Sequence, residues 1–225
     1  MPAASIRYIT FDCYGTLIDF AINAVTRPRL ADRLDLKQMN GFLADFSAYR
    51  FDEVLGPWKP YDEVLRNALE RTCHRWSVPF RPDDAEAIVD AVPSWGPHAD
   101  VPAPLARIAD AFPLVILSNA ANDQIQSNVS LLGAPFHAVF TAEQAGAYKP
   151  RFKAFEFMFD SLGCGPEHVM HVSSSIRYDL RAAADLKIAR RIFVDRGHGP
   201  GNPAYGYEPI GDLSGLPGLL GLQPA

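Results

Sequence analysis

Nowhere in its 225 residues does this chain offer the roughly 20 consecutive apolar residues that a membrane-spanning helix needs, so no membrane is expected among its partners. The first residues, "MPAASIRYITF", have neither the basic start nor the long apolar stretch of a secretory signal. Positive charge is in deficit. There are 21 Lys and Arg against 26 Asp and Glu, a net charge of −5, which argues against nucleic acid as a general partner. Cysteine is scarce: Cys13, Cys73 and Cys164 are odd in number and far apart, which excludes a disulfide framework and gives no zinc-ligand spacing. Buried thiols in a reducing cytoplasm fit that pattern. No internal repeat is evident.

What is present reads as one large domain, or one domain with an inserted lobe. Hydrophobic residues make up 48% and charged residues 21%, ordinary for a globular chain. Short β-rich runs recur, each ending in small or polar residues: "IRYITF" before Asp12, "PLVILS" ending at Ser118, "HAVFTA" at 137–142, "HVMHVS" ending at Ser173, and "RRIFV" at 190–194. Between the later runs lie helical patterns. Phe152, Phe155, Phe159 and Leu162 recur at spacings of three and four, predicting one apolar stripe. Alternation of this kind predicts an α/β fold, a Rossmann-like, doubly wound parallel sheet covered on both faces. Residues 19–95 differ. Phe42, Phe46, Tyr49 and Val54 share one helical face; Val64, Leu65, Ala68, Leu69 and Trp76 share another; and Asp83 and Asp84 after Pro82 open a third helix. This predicts an all-helical cap at 19–95, inserted after the first strand of a core formed by 1–18 and 96–225, with 94–104 as the return linker. The Gly/Pro-rich tail "RGHGPGNPAYGYEP" reads as loop.

In open α/β sheets ligands bind beyond the carboxyl ends of the strands. Asp12, Ser118, Lys149 and the "SSSIRYD" segment all fall at or just after predicted strand ends, so four separated segments converge on one rim. Each has a plain reading. Asp12 caps the amides of "CYGT"; "LSN" (117–119) forms a turn; Lys149 is solvated before a helix-starting proline; the serines cap a helix whose N-terminus Asp179 complements. The alternative for Asp12 is a carboxylate nucleophile that forms a covalent ester. Their joint order favours chemistry.

That order resembles the haloacid dehalogenase superfamily: Asp-x-x-x-Thr after the first strand, Ser or Thr after the second, a later Lys, then an acidic loop. Here these are Asp12 with Thr16, Ser118, Lys149, and the loop from Ser174 to Asp179. "AEQAGAYKP" (142–150) is similar to its dehalogenase branch, and the long stretch from Asp12 to Ser118 matches members with an inserted helical cap. Phosphatases of the superfamily use Asp-x-Asp, with a second acid that protonates the leaving group, and hold Mg²⁺ with the first acid and an acidic pair in the last loop. Tyr14 and Ser174 stand at two of those acidic positions. Mg²⁺ needs oxygen ligands and tolerates few losses from a carboxylate set. "Asp-x-Tyr-Gly-Thr-Leu" is instead the form seen in L-2-haloacid dehalogenases, which work without metal or cofactor, since a halide departs as a stable anion.

The resemblance implies a small-molecule 2-haloacid as substrate. Asp12 attacks C2 with inversion, and water then attacks the carboxyl carbon of the ester, releasing the 2-hydroxy acid. Lys149 keeps Asp12 ionised, and Asp179 pairs with Lys149 and positions or deprotonates the water. Ser118, Asn119, Ser174 and Ser175 are expected around the substrate carboxylate. Thr16 braces the nucleophile loop, Tyr14 belongs to an apolar wall, and Arg50 is the nearest cap arginine for the departing halide. Phe155 stands where the family has a tyrosine, and the last loop follows the longer, phosphatase-like spacing. A phosphatase and a non-catalytic carboxylate binder stay open as alternatives, and a homodimer as an assembly state.

Overall fold

The computed structural model describes residues 5–222. The chain starts with β1 (Tyr8–Phe11) and continues through four helices: α1 (Ile22–Leu30), α2 (Leu36–Leu55), α3 (Tyr61–Arg75) and α4 (Pro82–Ala91). Next come α5 (Pro102–Ala109), β2 (Leu114–Ser118), α6 (Asn122–Val129), β3 (Ala138–Thr141), α7 (Ala142–Ala145) and α8 (Phe152–Leu162). The last part holds β4 (Val169–Ser173), a π-helical turn (Ile176–Leu180), α9 (Arg181–Asp185), β5 (Arg190–Val194), β6 (Glu208–Ile210) and α10 (Leu216–Leu219).

Two compact units result. One joins the residues up to Asp19 with those from Gly96 onward; the other is Phe20–Trp95. The first unit is a six-stranded sheet, every neighbouring pair parallel, in the order β3-β2-β1-β4-β5-β6. The order reverses between β1 and β4, and a doubly wound sheet opens its ligand crevice at that point. β2 and β4 are buried along their whole length, as a sheet covered on both faces requires. Val115 and Leu117 point to one face, where Phe155, Met158, Phe159 and Leu162 of α8 and Ala182 and Ala183 of α9 close over them.

Two expectations need correction. Phe152 is 43% exposed; the buried face of α8 runs instead through Ala154, Phe155, Met158, Phe159 and Leu162. Phe152 sits between exposed Arg151 and Lys153, on the side of the first helical turn that faces solvent. The tail also contains β6, which pairs Ile192 with Glu208 and Val194 with Ile210. Parallel pairing supplied by β5 outweighs the poor strand propensity of Pro209 at a sheet edge.

The second unit is helical. Phe42, Phe46 and Val54 of α2 and Val64, Leu65, Ala68 and Leu69 of α3 are buried, whereas Tyr49 and Trp76 are half-buried. Asp35 caps α2 in a reciprocal capping box with Gln38, and Pro82 begins α4 where its missing N–H costs nothing. Glu53 is buried, and Lys59 and Arg71 neutralise it. Among the described residues no helix is long and apolar enough to cross a membrane.

Candidate active site

β1 delivers Asp12 to the crevice rim, its amide still donating to Val172 O of β4 at 3.0 Å. The chain then turns sharply. The amides of Thr16, Leu17 and Ile18 converge on Cys13 O, and Gly15 adopts φ +87°, a left-handed conformation that suits glycine. These amides are thus spent within the turn. Of the amides of "CYGT", those of Gly15 and Thr16 are used in this way, and side chains bind both oxygens of the Asp12 carboxylate.

Asp12 Oδ1 accepts from Lys149 Nζ at 2.8 Å, and Oδ2 accepts from Thr16 Oγ at 2.6 Å. The Thr16 hydroxyl in turn accepts from the Ser174 amide at 2.9 Å, while Ser174 Oγ donates to Gly15 O at 2.8 Å. Lys149 has three donors and uses all of them, on Asp12 Oδ1, Asp179 Oδ1 (2.7 Å) and Leu117 O (2.8 Å). The ammonium is 1% exposed, Asp179 0% and Asp12 7%. One buried cation therefore bridges two buried carboxylates.

The three groups titrate as a unit, and their surroundings drive them apart. Burial pushes Asp12 above the usual carboxylate range, against the pull of Lys149. Asp179 is just as buried, yet the Lys149 charge and the hydrogen bond from His171 hold it below that range. Burial works against the charge of Lys149, but Asp12 and Asp179 outweigh it and raise its pKa. Of the two acids, Asp12 protonates first.

The remaining expected residues divide. Ser118 ends β2 beside β1, and its buried Oγ has no hydrogen-bond partner among the described residues. A buried hydroxyl left so is a donor in need of an acceptor. Asn119 is spent on the lysine: Oδ1 accepts from Lys149 N at 2.7 Å and Nδ2 donates to Lys149 O at 3.0 Å. Ser175 caps the π-helical turn, its Oγ accepting from Tyr178 N at 3.0 Å. Asn119 thus ties the strand end to the lysine loop, and Ser175 keeps its own O–H while it caps the turn. Tyr14 donates its hydroxyl to Asn128 Oδ1 at 2.7 Å. Arg50 belongs to the helical unit, where its guanidinium lies 5.2 Å from the Phe20 ring centre and 5.0 Å from that of Phe46. Its Nε is buried without a hydrogen bond among the described residues.

The π-helical turn resolves the longer loop. Leu180 N reaches back five residues to Ser175 O at 3.1 Å, taking up one extra residue within a single wide turn. Asp179 thereby still reaches Lys149. Other supports escaped the sequence reading. His171 contacts Asp179 from β4. Arg196 donates to Thr16 O at 3.1 Å and pairs with both oxygens of Asp100, and His198 Nε2 lies 3.0 Å from Gly15 O. A histidine inside the apolar run "HVMHVS" was the available signal for His171. Among the described residues no group of three or more His, Cys, Asp or Glu is arranged to hold a metal ion.

Known proteins share this architecture. The sequence model of the haloacid dehalogenase-like hydrolases matches residues 6–187. (S)-2-haloacid dehalogenase 4A from Burkholderia cepacia is 25% identical, over 92% of this chain and 89% of its own. The structure of the L-2-haloacid dehalogenase from Xanthobacter autotrophicus with chloropropionic acid covalently bound superposes with a TM-score of 0.74 at 22% identity, covering 97% of this chain and 100% of that one. The HAD-hydrolase YfnB from Bacillus subtilis bound to magnesium reaches a TM-score of 0.81 at 16% identity, with coverages of 97% and 100%.

Proposed function

Since the chain belongs to the haloacid dehalogenase-like hydrolases, we propose that it hydrolyses the carbon–halogen bond of short 2-haloacids through an ester on Asp12, without metal, releasing 2-hydroxy acids. The observation that carries this reading is the buried Asp12–Lys149–Asp179 bridge. Displacement at a saturated carbon needs an ionised nucleophile freed of water, and a halide leaves without a proton. Burial removes the water; Lys149 and Thr16 keep the carboxylate ionised and aimed. The acid that would protonate a leaving group two positions after the nucleophile is replaced by Tyr14. The curated relatives named as (S)-2-haloacid dehalogenases support the substrate class.

In the first step a carboxylate oxygen of Asp12 bonds to C2 and the halide departs with the bonding electrons. Ser118 Oγ, buried and unpartnered, donates to the substrate carboxylate. We assign the halide-side cation to Arg50 on a local ground: its planar guanidinium has an unspent Nε donor between two aromatic rings. In the second step water attacks the Asp12 carboxyl carbon and Asp179 takes its proton. We place the reaction in a reducing cytoplasm, a setting that suits three free cysteines.

The test is halide release from short 2-haloacids in the presence of a chelator, with a single turnover run in heavy-oxygen water. Release indifferent to chelator is expected, with label in Asp12 before it reaches product. Label in product alone would mean direct attack by water and end the ester mechanism. Magnesium-dependent turnover of p-nitrophenyl phosphate without halide release would assign the site to phosphoryl transfer. Arg50→Ala is expected to slow ester formation far more than ester hydrolysis.

A further inference from the structure

β4 carries a fully buried histidine for which the reaction above has no use. His171 is enclosed by the sheet and by Phe155, whose ring lies 5.6 Å away at 73°. Its Nε2 is 3.0 Å from Asp179 Oδ1, and its Nδ1 is 2.8 Å from Thr10 Oγ. An ionised carboxylate only accepts hydrogen bonds, so the proton in the first contact belongs to Nε2. At the other nitrogen the Thr10 hydroxyl can donate to a bare Nδ1. It can equally accept from an Nδ1–H and donate to Met170 O at 3.3 Å. The histidine is thus fixed in orientation with every polar atom satisfied.

This makes the two oxygens of Asp179 unlike. Oδ1 receives Lys149 Nζ and His171 Nε2, whereas Oδ2 is buried and has no hydrogen-bond partner among the described residues. An oxygen carrying two donors is the poorer base, and the other keeps its electrons. Two donors on one oxygen also stop the carboxyl group from rotating.

We propose that His171 is a positioning residue for ester hydrolysis: with Lys149 it locks Asp179 Oδ1, so that Oδ2 is the basic atom presented to the hydrolytic water. The inference rests on the dehalogenase reading. As the water oxygen bonds to the Asp12 carboxyl carbon, its O–H bond breaks and the proton passes to Asp179 Oδ2. Collapse of the tetrahedral species breaks the bond between that carbon and the substrate oxygen. The departing alkoxide takes the proton back from Asp179, leaving the 2-hydroxy acid, an ionised Asp179 and Asp12 as the carboxylic acid, which returns to the carboxylate by releasing the second water proton to solvent. Ester formation involves none of these transfers. Loss of the His171 bond should therefore fall on the second step alone.

The experiment follows the mass of the Asp12 peptide during a single turnover of L-2-chloropropionate. His171→Phe keeps the aromatic contact with Phe155 and removes the donor. Ester formation within about threefold of wild type is expected, with hydrolysis slowed at least about tenfold, a fraction of what a general base contributes, so that the ester accumulates. His171→Gln, which can return an N–H near the Nε2 position, should restore most of the hydrolysis rate. If the Phe variant does not fold, His171→Asn, too short to reach Asp179, must accumulate the ester in its place. Equal slowing of both steps, no slowing of either, or no rescue by Gln would overturn the inference while leaving the dehalogenase reading intact. A wild-type protein that never carries an ester on Asp12 would overturn both.

Discussion

At the residue scale the site separates two acids that begin alike. Asp12 is pushed up by burial, and Asp179 is held down by Lys149 and His171 despite burial. In the proposed reaction Asp12 must be ionised to attack. Activity is therefore expected to fall on the acid side with an apparent pKa above that of an ordinary aspartate, about 3.9. Lys149 is raised, so no basic limb is expected below about pH 10. A pH profile of halide release checks both limbs, and an acid limb at or below the ordinary aspartate value would contradict the assignment. The same separation makes a prediction about stability. A folded-state pKa above the unfolded one means that the ionised Asp12 costs stability at neutral pH. Asp12→Asn should therefore abolish turnover and raise the melting temperature, by about 2–4 °C for each kcal/mol recovered in a chain of this size. A lower melting temperature would show that the Lys149 pairing outweighs burial.

At the element scale the helical unit depends on a close approach between α2 and α3. A Cβ on Gly41 would come within 2.7 Å of the Trp76 indole. That ring is not free to move aside, because its Nε1 donates to Asp45 at 2.9 Å and it packs edge-to-face with Phe42, centroids 6.2 Å apart. Exchanging a mid-helix glycine for alanine ordinarily gains about 0.8–1 kcal/mol of helix propensity. Here overpacking of about 1–3 kcal/mol opposes it. Gly41→Ala is expected to lower the melting temperature, and a rise would show that Trp76 yields. The π-helical turn matters in the same local way: its extra residue is housed without drawing Asp179 off Lys149.

At the scale of the whole molecule, acid stability is a contest of signs. Asp100 is held below the usual range although burial raises it, because Arg196 pairs with it and Leu213 N donates to it. Glu53 is likewise held down by Lys59 and Arg71 against its burial. With Asp179, these groups contribute stability that is present above about pH 4, the unfolded carboxylate value, and is lost as pH falls through their lower folded values. Asp12 has the opposite sign and gains stability as it takes up its proton. Melting temperature should thus rise on mild acidification and then fall below about pH 4. Asp12→Asn should erase the rise and keep the fall, which a melting series across pH would read directly.

Much of the core was legible because its signals are local. Apolar runs of strand length, each stopped by a polar residue, determined by themselves that Asp12, Ser118 and the Ser174–Asp179 loop would share the carboxyl edge of a parallel sheet. The order of Asp12, Thr16, Ser118, Lys149 and Asp179 carried the resemblance to the family that the sequence model then matched, and Tyr14 stands where a phosphatase has its second acid. What the sequence left undecided depends on partners far along the chain. That the third Lys149 donor goes to Leu117 O, and that the Asn119 side chain clamps the lysine backbone, follows from contacts between separate strands and loops. His171 reads as one more strand residue until β1 sets Thr10 beside it and the π-helical turn brings Asp179 under it. β6 was hidden for the same reason: a Gly/Pro-rich tail becomes a strand only when β5 offers its edge. Periodicity along a chain reports which side of an element is buried, but hydrogen bonds and charges are paired across space, and only the tertiary structure decides them.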